Sequence, residues 1–333
     1  MKTSNDHFMS DGKTLLHIKD LKTHFHTAAG DVRAVDGVTL KMPEGSTVGV
    51  VGESGCGKTV LALSIMRLLP MPPAKIVAGE ILLDDTDILK LDAKTMRHVR
   101  GKKISMIFQE PMTSLNPIMT IGEQISEIIR LHEEQTRKGA QEQAIEIMRK
   151  VGIEAPEKRI SHYPHQMSGG MRQRVMIAMA LACKPRLMIA DEPTTALDVT
   201  VQAQILELMD ELQQSFHTSI LFISHDLGVI AHNADYVIIM YAGKIVEESP
   251  VASFFSDPLH PYSLGLLEAI PTLRIQQSKR LQVIPGSVPD VSKEIRGCAF
   301  CDRCGYVMAV CREKEPVLHE KKPDRYVRCW KEL

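Results

Sequence analysis

The chain has 333 residues, 44% of them apolar and 24% charged, with a formal net charge of −1. That is enough material for one large or two ordinary domains, and so small a net charge gives no electrostatic case for nucleic acid or an anionic membrane surface as the main partner. The start, "MKTSNDHFMSDGKTLLHIKD", is polar with no apolar signal-peptide core, and no run reaches the roughly 18 to 20 apolar residues of a bilayer span, so the chain is expected to be soluble and cytoplasmic.

The first strong element is "TVGVVG" (Thr47 to Gly52), whose near-continuous Val predicts a buried strand. It runs into "GESGCGKT" (Gly52 to Thr59), a GxxxxGK[ST] loop, and then into the helical "VLALSIMRLL". Strand, glycine-rich loop and helix in that order make a phosphate cradle. The glycines let successive N–H groups face inward, and the helix N-terminus places its partial positive charge beneath the phosphates. Lys58 would pair with the β- and γ-phosphates and Thr59 would ligate Mg²⁺. Cys56 reads as a small loop residue rather than a nucleophile.

"KISMIF" (Lys103 to Phe108) predicts a second buried strand. From Gln109 to Ser168 the pattern turns helical, an insertion of about 60 residues. Ile121, Ile125, Ile128 and Ile129 share one helix face, and Ala144, Ile145, Met148 and Val151 share another. "HQMSGGMRQRVMIAMAL" (His165 to Leu181) follows, with Ser168, Gly169 and Gly170 opening a helix. Taken alone, those three residues are also an ordinary N-cap with two turn glycines. One domain needs one phosphate cradle, so a second helix N-terminus suggests a surface for a nucleotide held by another subunit.

"RLMIADE" (Arg186 to Glu192) predicts a strand ending in Asp191, suited to Mg²⁺, followed by Glu192, suited to orient or deprotonate an attacking water. Val201, Ile205, Leu208 and Leu212 give an amphipathic helix. "SILFIS" (Ser219 to Ser224) reads as another strand, and "DYVIIMYAGKIVEES" as two strands joined at Ala242-Gly243. Alternation of strands and helices predicts an α/β architecture. Beyond Ser256 prolines accumulate, predicting a loop-rich extension.

That extension carries five of the seven cysteines: Cys298, Cys301, Cys304, Cys311 and Cys329. In a reducing compartment such a cluster favours metal or redox chemistry over disulfides. A ferredoxin pattern fails at its fourth ligand, and a four-thiolate zinc site would suit the same spacing.

The ordered motifs resemble those of ATP-binding-cassette ATPases, which implies a P-loop NTPase cassette over residues 1–255 with a helical subdomain at about 110–180. The resemblance implies ATP contacts from Gly52, Ser54, Gly55, Cys56, Gly57, Lys58, Thr59, Val60 and Asp191. Phe25 is the candidate for stacking on adenine, with His24 and His26 as rivals. Mg²⁺ would be shared by Thr59, Gln109 and Asp191, and catalysis by Glu192, His225 and Gln109. Ser168, Gly169 and Gly170 would act on a partner's ATP, and Asp198 would belong to the loop "ALD" beside it. Here the signature reads MSGGM, so Met171 stands where a polar residue is commoner.

"DPLHPYSLGLLEAIP" and "VIPGSVPD" narrow the resemblance to ATPases of oligopeptide/dipeptide importers, with residues 256–333 as the family's C-terminal extension. The implied partners are a second, different cassette, two transmembrane permease subunits and an extracytoplasmic solute-binding protein, with no nucleic acid. The implied place is the cytoplasmic face of the inner membrane. Nickel or another small solute is the alternative cargo, and a soluble non-transport cassette ATPase the alternative class. The family pattern further implies a [4Fe-4S] cluster on Cys298, Cys304, Cys311 and Cys329, leaving Cys301 over.

Overall fold

The computed structural model describes residues 13–28, 30–109, 114–195, 197–270, 283–293 and 295–331. Among them the strands run in chain order β1 (Thr14–Thr27), β2 (Gly30–Pro43), β3 (Thr47–Val51), β4 (Ala74–Leu83), β5 (Thr86–Asp87) and β6 (Ile104–Ile107). They continue as β7 (Leu187–Asp191), β8 (Ser219–Ser224), β9 (Tyr236–Tyr241), β10 (Lys244–Pro250), β11 (His319–Lys322) and β12 (Arg325–Val327). The chain divides into two compact units. One holds the segments up to Pro43, Thr47–Leu89 and everything from Ile223 onward; the other holds Glu44–Ser46 and Lys90–Phe222.

In the first unit β3 lies parallel to β9, and both are buried along their whole length. Continuous Val, Ile and Tyr suits strands covered on both faces. β9 turns back into antiparallel β10 through Ala242 and Gly243, at φ +47° and +79°. Two successive positive φ values make the two-residue hairpin whose twist matches its strands. A second sheet of the same unit has the order β2-β1-β4-β5 and is antiparallel throughout. Sequence reasoning did not single these strands out. Their signal is present at the end of β2, where buried Val38, Leu40 and Met42 alternate with exposed Thr39 and Lys41 in period two. Thr23 of β1 and Ser64 of helix Lys58–Met66 share a buried hydroxyl–hydroxyl hydrogen bond of 2.9 Å, which ties that sheet to the helix behind the glycine loop.

Residues past 256 fold onto the strands that precede them. β12 pairs with β10 and with β11. Tyr236 of β9 donates its hydroxyl to the Asp324 carbonyl at 2.7 Å, and Arg325 bonds Ser249 and Asp257.

The second unit carries β6 and β7 as a parallel pair in register Ile104↔Leu187 to Ile107↔Ala190. Its helices include Ala93–Lys102, Ile121–Glu133, Arg137–Lys150, Gly169–Leu181 and Val199–Phe216. Ile121, Ile125 and Ile129 fall at i, i+4 and i+8 and are fully buried, each contributing about 1.5–3 kcal/mol of burial. Thr120 and Glu123 form a reciprocal capping box that sets where this helix starts. In the next helix Ala144 and Met148 are buried as expected, but Ile147 takes the buried place and Ile145 is only half-covered. The wider apolar face of a globular helix admits either position, and packing selects one.

Candidate phosphate loop, carboxylate site and thiol pocket

The glycine loop, Gln109, Asp191 with Glu192, and His225 lie at or just past the C-terminal ends of β3, β6, β7 and β8, where α/β proteins commonly place ligands. In the first unit β3 ends at Val51 and the chain enters the glycine loop. A Cβ on Gly52 would fall 2.2 Å from the Met240 carbonyl oxygen, and one on Gly57 would fall 2.2 Å from that of Ala34. Gly57 also sits at φ +105°. Only glycine fits either place.

Helix Lys58–Met66 starts with no side-chain cap and no acidic residue in its first turn. Its N-terminal N–H groups and partial positive charge therefore remain unopposed by a carboxylate. Lys58 is 6% exposed, and its ammonium donates to the carbonyls of Gly52 at 2.7 Å and Glu53 at 3.2 Å. The cation is held across the mouth of its own loop. Ser54, Gly55 and Thr59 are exposed, while Cys56 is buried. Burial pushes the Cys56 thiol up, so it stays protonated and packs.

Phe25 lies half-buried in β1, and strand alternation puts it on the opposite face from His24 and His26. His26 is engaged with Asp31 at 2.5 Å. His225 follows β8 directly and is exposed, just before Asp226 caps helix Leu227–Asn233 by accepting the Gly228 N–H at 2.7 Å.

The second unit brings two predicted residues into contact. Gln109, two residues past the end of β6, donates from Nε2 to Glu192 Oε2 at 2.9 Å. Thr195 Oγ1 donates to the same oxygen at 3.0 Å. Glu192 has φ +48°, a sparsely populated backbone region for a non-glycine residue. Asp191, the last residue of β7, is 2% exposed. Ser168 caps helix Gly169–Leu181 by accepting the Met171 N–H at 3.3 Å, and Ser168 and Gly169 face solvent. A Cβ on Gly170 would lie 2.8 Å from Val201 Cγ1. Asp198 caps helix Val199–Phe216 through the Thr200 and Val201 N–H groups. Ala196 lies outside the described residues.

"HPY" acquires a structural account. Pro261 opens helix Pro261–Glu268, and His260 caps it by accepting the Tyr262 N–H on Nδ1 at 3.0 Å. Burial lowers the His260 pKa to about 3, keeping the imidazole neutral. Glu247 receives the Leu259 and His260 N–H groups. The ring of Tyr262 meets Tyr241 and Phe300, with centroids 4.7 and 5.3 Å away.

All five C-terminal cysteines line one pocket beside His260 and Phe300. Cys298 and Cys311 are joined by a backbone N–H···O bond of 2.7 Å. Burial, reinforced by neighbouring thiols, pushes Cys298 up to about 12, and burial also raises Cys301, Cys304 and Cys329. Among the described residues no group of three or more His, Cys, Asp or Glu is arranged to hold a metal ion. The thiols thus share a pocket without forming a ligand shell as they stand. The donor chemistry of that pocket, soft sulfur from five cysteines, is of the kind that zinc and iron–sulfur centres take.

Residues 35–195 match the family model described as ABC transporter, and residues 246–311 match that of the oligopeptide/dipeptide transporter C-terminal region. The chain is 51% identical over 317 residues to a probable peptide ABC transporter ATP-binding protein, y4tR, of Sinorhizobium fredii, covering 95% of each chain. It is 51% identical over 316 residues to the oligopeptide transport ATP-binding protein OppD of Bacillus subtilis, covering 95% of this chain and 88% of that one. Among solved structures it resembles the ATP-binding cassette MJ0796 in a dimeric post-hydrolysis state bound to ADP and Pi. That likeness has a TM-score of 0.64 at 27% identity and covers 71% of this chain and 98% of the other.

Proposed function

The chain belongs to the ABC transporter family as an ATP-binding subunit of a peptide importer, and from that premise we propose how its residues divide the work. ATP lies with its phosphates in the loop from Gly52 to Thr59, its β- and γ-phosphates met by Lys58 and its adenine on Phe25. Ser54, Gly55, Cys56, Gly57 and Val60 supply backbone contacts. Thr59, Gln109 and Asp191 would hold Mg²⁺, which when bound neutralises charge between the phosphates. Asp191, the buried carboxylate at the end of β7, and the exposed hydroxyl position of Thr59 suit that role. Glu192 aims and deprotonates the attacking water, and His225 contacts the γ-phosphate.

Ser168 and Gly169 face solvent and Gly170 is half-buried; the exposed pair supports use of all three on a nucleotide bound by a second cassette, with Asp198 at the same contact. ATP binding then closes the pair and hydrolysis reopens it, because the two states differ in affinity for ATP. Two permease subunits and an extracytoplasmic solute-binding protein complete the importer. Among the described residues no helix is long and apolar enough to cross a membrane, in keeping with a peripheral subunit carried on the cytoplasmic face by its permeases.

The cassette is assigned to residues 1–255, with its helical subdomain at about 110–180, and the importer-type extension to 256–333. In that extension Cys298, Cys304, Cys311 and Cys329 would hold a [4Fe-4S] cluster that staples a segment of low apolar content. Their shared pocket supports this reading. Iron and sulfide in anaerobically purified protein are the expected result; stoichiometric zinc without iron would contradict it.

The observation that carries the nucleotide assignment is the buried Lys58 ammonium held across its own glycine loop. Purification of the complex from membranes tests the whole reading. Permease subunits and a second cassette should co-elute, and recovery of the chain alone at native expression would count against it.

A further inference from the structure

Glu53, the second residue of the glycine loop, is held by all three of its polar groups. Its N–H donates to Tyr262 Oη at 2.9 Å. Its carbonyl accepts the Lys58 ammonium at 3.2 Å. Its carboxylate takes both guanidinium arms of Arg303, Nη1 to Oε2 at 2.6 Å and Nη2 to Oε1 at 2.9 Å. Two of these three partners come from the C-terminal extension, and the third is the phosphate-seeking lysine itself.

Arg303 is built in rather than draped over a surface. Its side chain is 6% exposed, and its Nε donates to the Pro285 carbonyl at 2.8 Å. Its guanidinium also meets the Tyr241 hydroxyl at 3.3 Å and lies 5.9 Å from the centre of the Phe300 ring. The residue stands between Cys301 and Cys304, in the tight turn Cys301–Arg303. A bidentate guanidinium–carboxylate pair with little solvent around it fixes orientation as well as position.

Resting on the nucleotide assignment above, we propose that Arg303, with Tyr262, is a positioning residue for the phosphate loop, setting nucleotide affinity through Glu53. The mechanism is local. Phosphate binding needs the loop N–H groups and Lys58 preset in one geometry, since freedom in the unbound loop is lost on binding. Glu53 is the residue at which that geometry is pinned, and its carbonyl is one of the two that carry the lysine. Releasing the carboxylate leaves the loop to reorder when ATP arrives. The turn that bears the thiols thereby feeds directly into nucleotide affinity without touching the nucleotide.

Equilibrium binding of ATP with Mg²⁺ to the folded full chain tests this through a double-mutant cycle. Arg303→Ala and Glu53→Gln should each weaken binding roughly tenfold, and the double variant should be no weaker than either single one. Arg303→Lys, which keeps the charge and loses the fork, should fall between wild type and Arg303→Ala. Arg312→Ala, which breaks the exposed pair with Asp302 in the same segment, should bind as wild type does. Wild-type affinity in folded Arg303→Ala, or fully additive effects in the cycle, would overturn the proposal. Should Arg303→Ala not fold, wild-type affinity in Arg303→Lys overturns it equally. Retained ATP binding in Lys58→Ala would instead sink the phosphate-loop assignment beneath it.

Discussion

Gln109 Nε2 and Thr195 Oγ1 donate to one and the same carboxylate oxygen of Glu192, at 2.9 and 3.0 Å. Two donors on one oxygen fix the plane of the carboxylate, and they come from the loop after β6 and the turn after β7. An oriented carboxylate directly after Asp191, the residue proposed above for Mg²⁺, is what general-base chemistry on a water requires.

Glu192→Gln keeps the shape and removes the proposed base. ATP turnover should drop by about 10²–10⁴-fold, while ATP binding stays near the wild-type level. Steady-state hydrolysis together with equilibrium binding checks both halves, and undiminished turnover contradicts the assignment of the base.

Lys58→Ala removes the only side-chain cation inside the described phosphate loop. Its affinity for ATP should fall by about tenfold or more, as for other lost charge-assisted contacts. Thermal stability in the absence of nucleotide should change little by comparison. A titration of ATP against melting temperature separates the two effects, because the variant should need at least about tenfold more ATP than the wild type for the same gain in stability.

Asp198 caps helix Val199–Phe216 through two backbone N–H groups. Asp198→Ala should cost about 1 kcal/mol of stability, and Asp198→Asn much less, because asparagine is an equally good cap. Denaturant unfolding reads the difference. Loss of hydrolysis in the stable Asn variant would then report on the cassette contact rather than on folding.

Glu248 in β10 is buried, and burial pushes its pKa up from the ordinary 4.5 to about 8, with Arg328 acting in the other direction. The folded state therefore holds its proton to higher pH than the unfolded state. The stability this contributes is complete below about pH 4.5 and is lost as pH rises through about 8. Glu248→Gln removes the titration. Its melting temperature relative to wild type should rise between those limits and level off above them, and a pH-independent difference would contradict the account.

Much of this was legible in the sequence because the relevant signals are local. Continuous Val, Ile and Met runs marked β3, β6, β7 and β8, and the glycine spacing marked the phosphate loop. The hairpin at Ala242-Gly243 was readable from its turn residues. The antiparallel strands β1, β2 and β4 escaped notice because their pairing has several register shifts, which break simple alternation. Arg303 and Tyr262 escaped for a different reason: their partner, Glu53, is more than 200 residues away in the chain. Nothing in a window around "CDRC" or "HPY" announces a contact so distant. The five thiols drew attention as possible metal chemistry, whereas the arginine between them makes the contact with the glycine loop.

In the proposed mechanism ATP is hydrolysed at a site this chain completes only with a second cassette. Hydrolysis should therefore be compared for the isolated chain, diluted to a monomer, and for the same chain assembled with its partner cassette and permeases. A slow monomer and a fast assembly, with the assembly silenced by Glu192→Gln, is the predicted result. A monomer that turns over ATP at the rate of the assembly would contradict it.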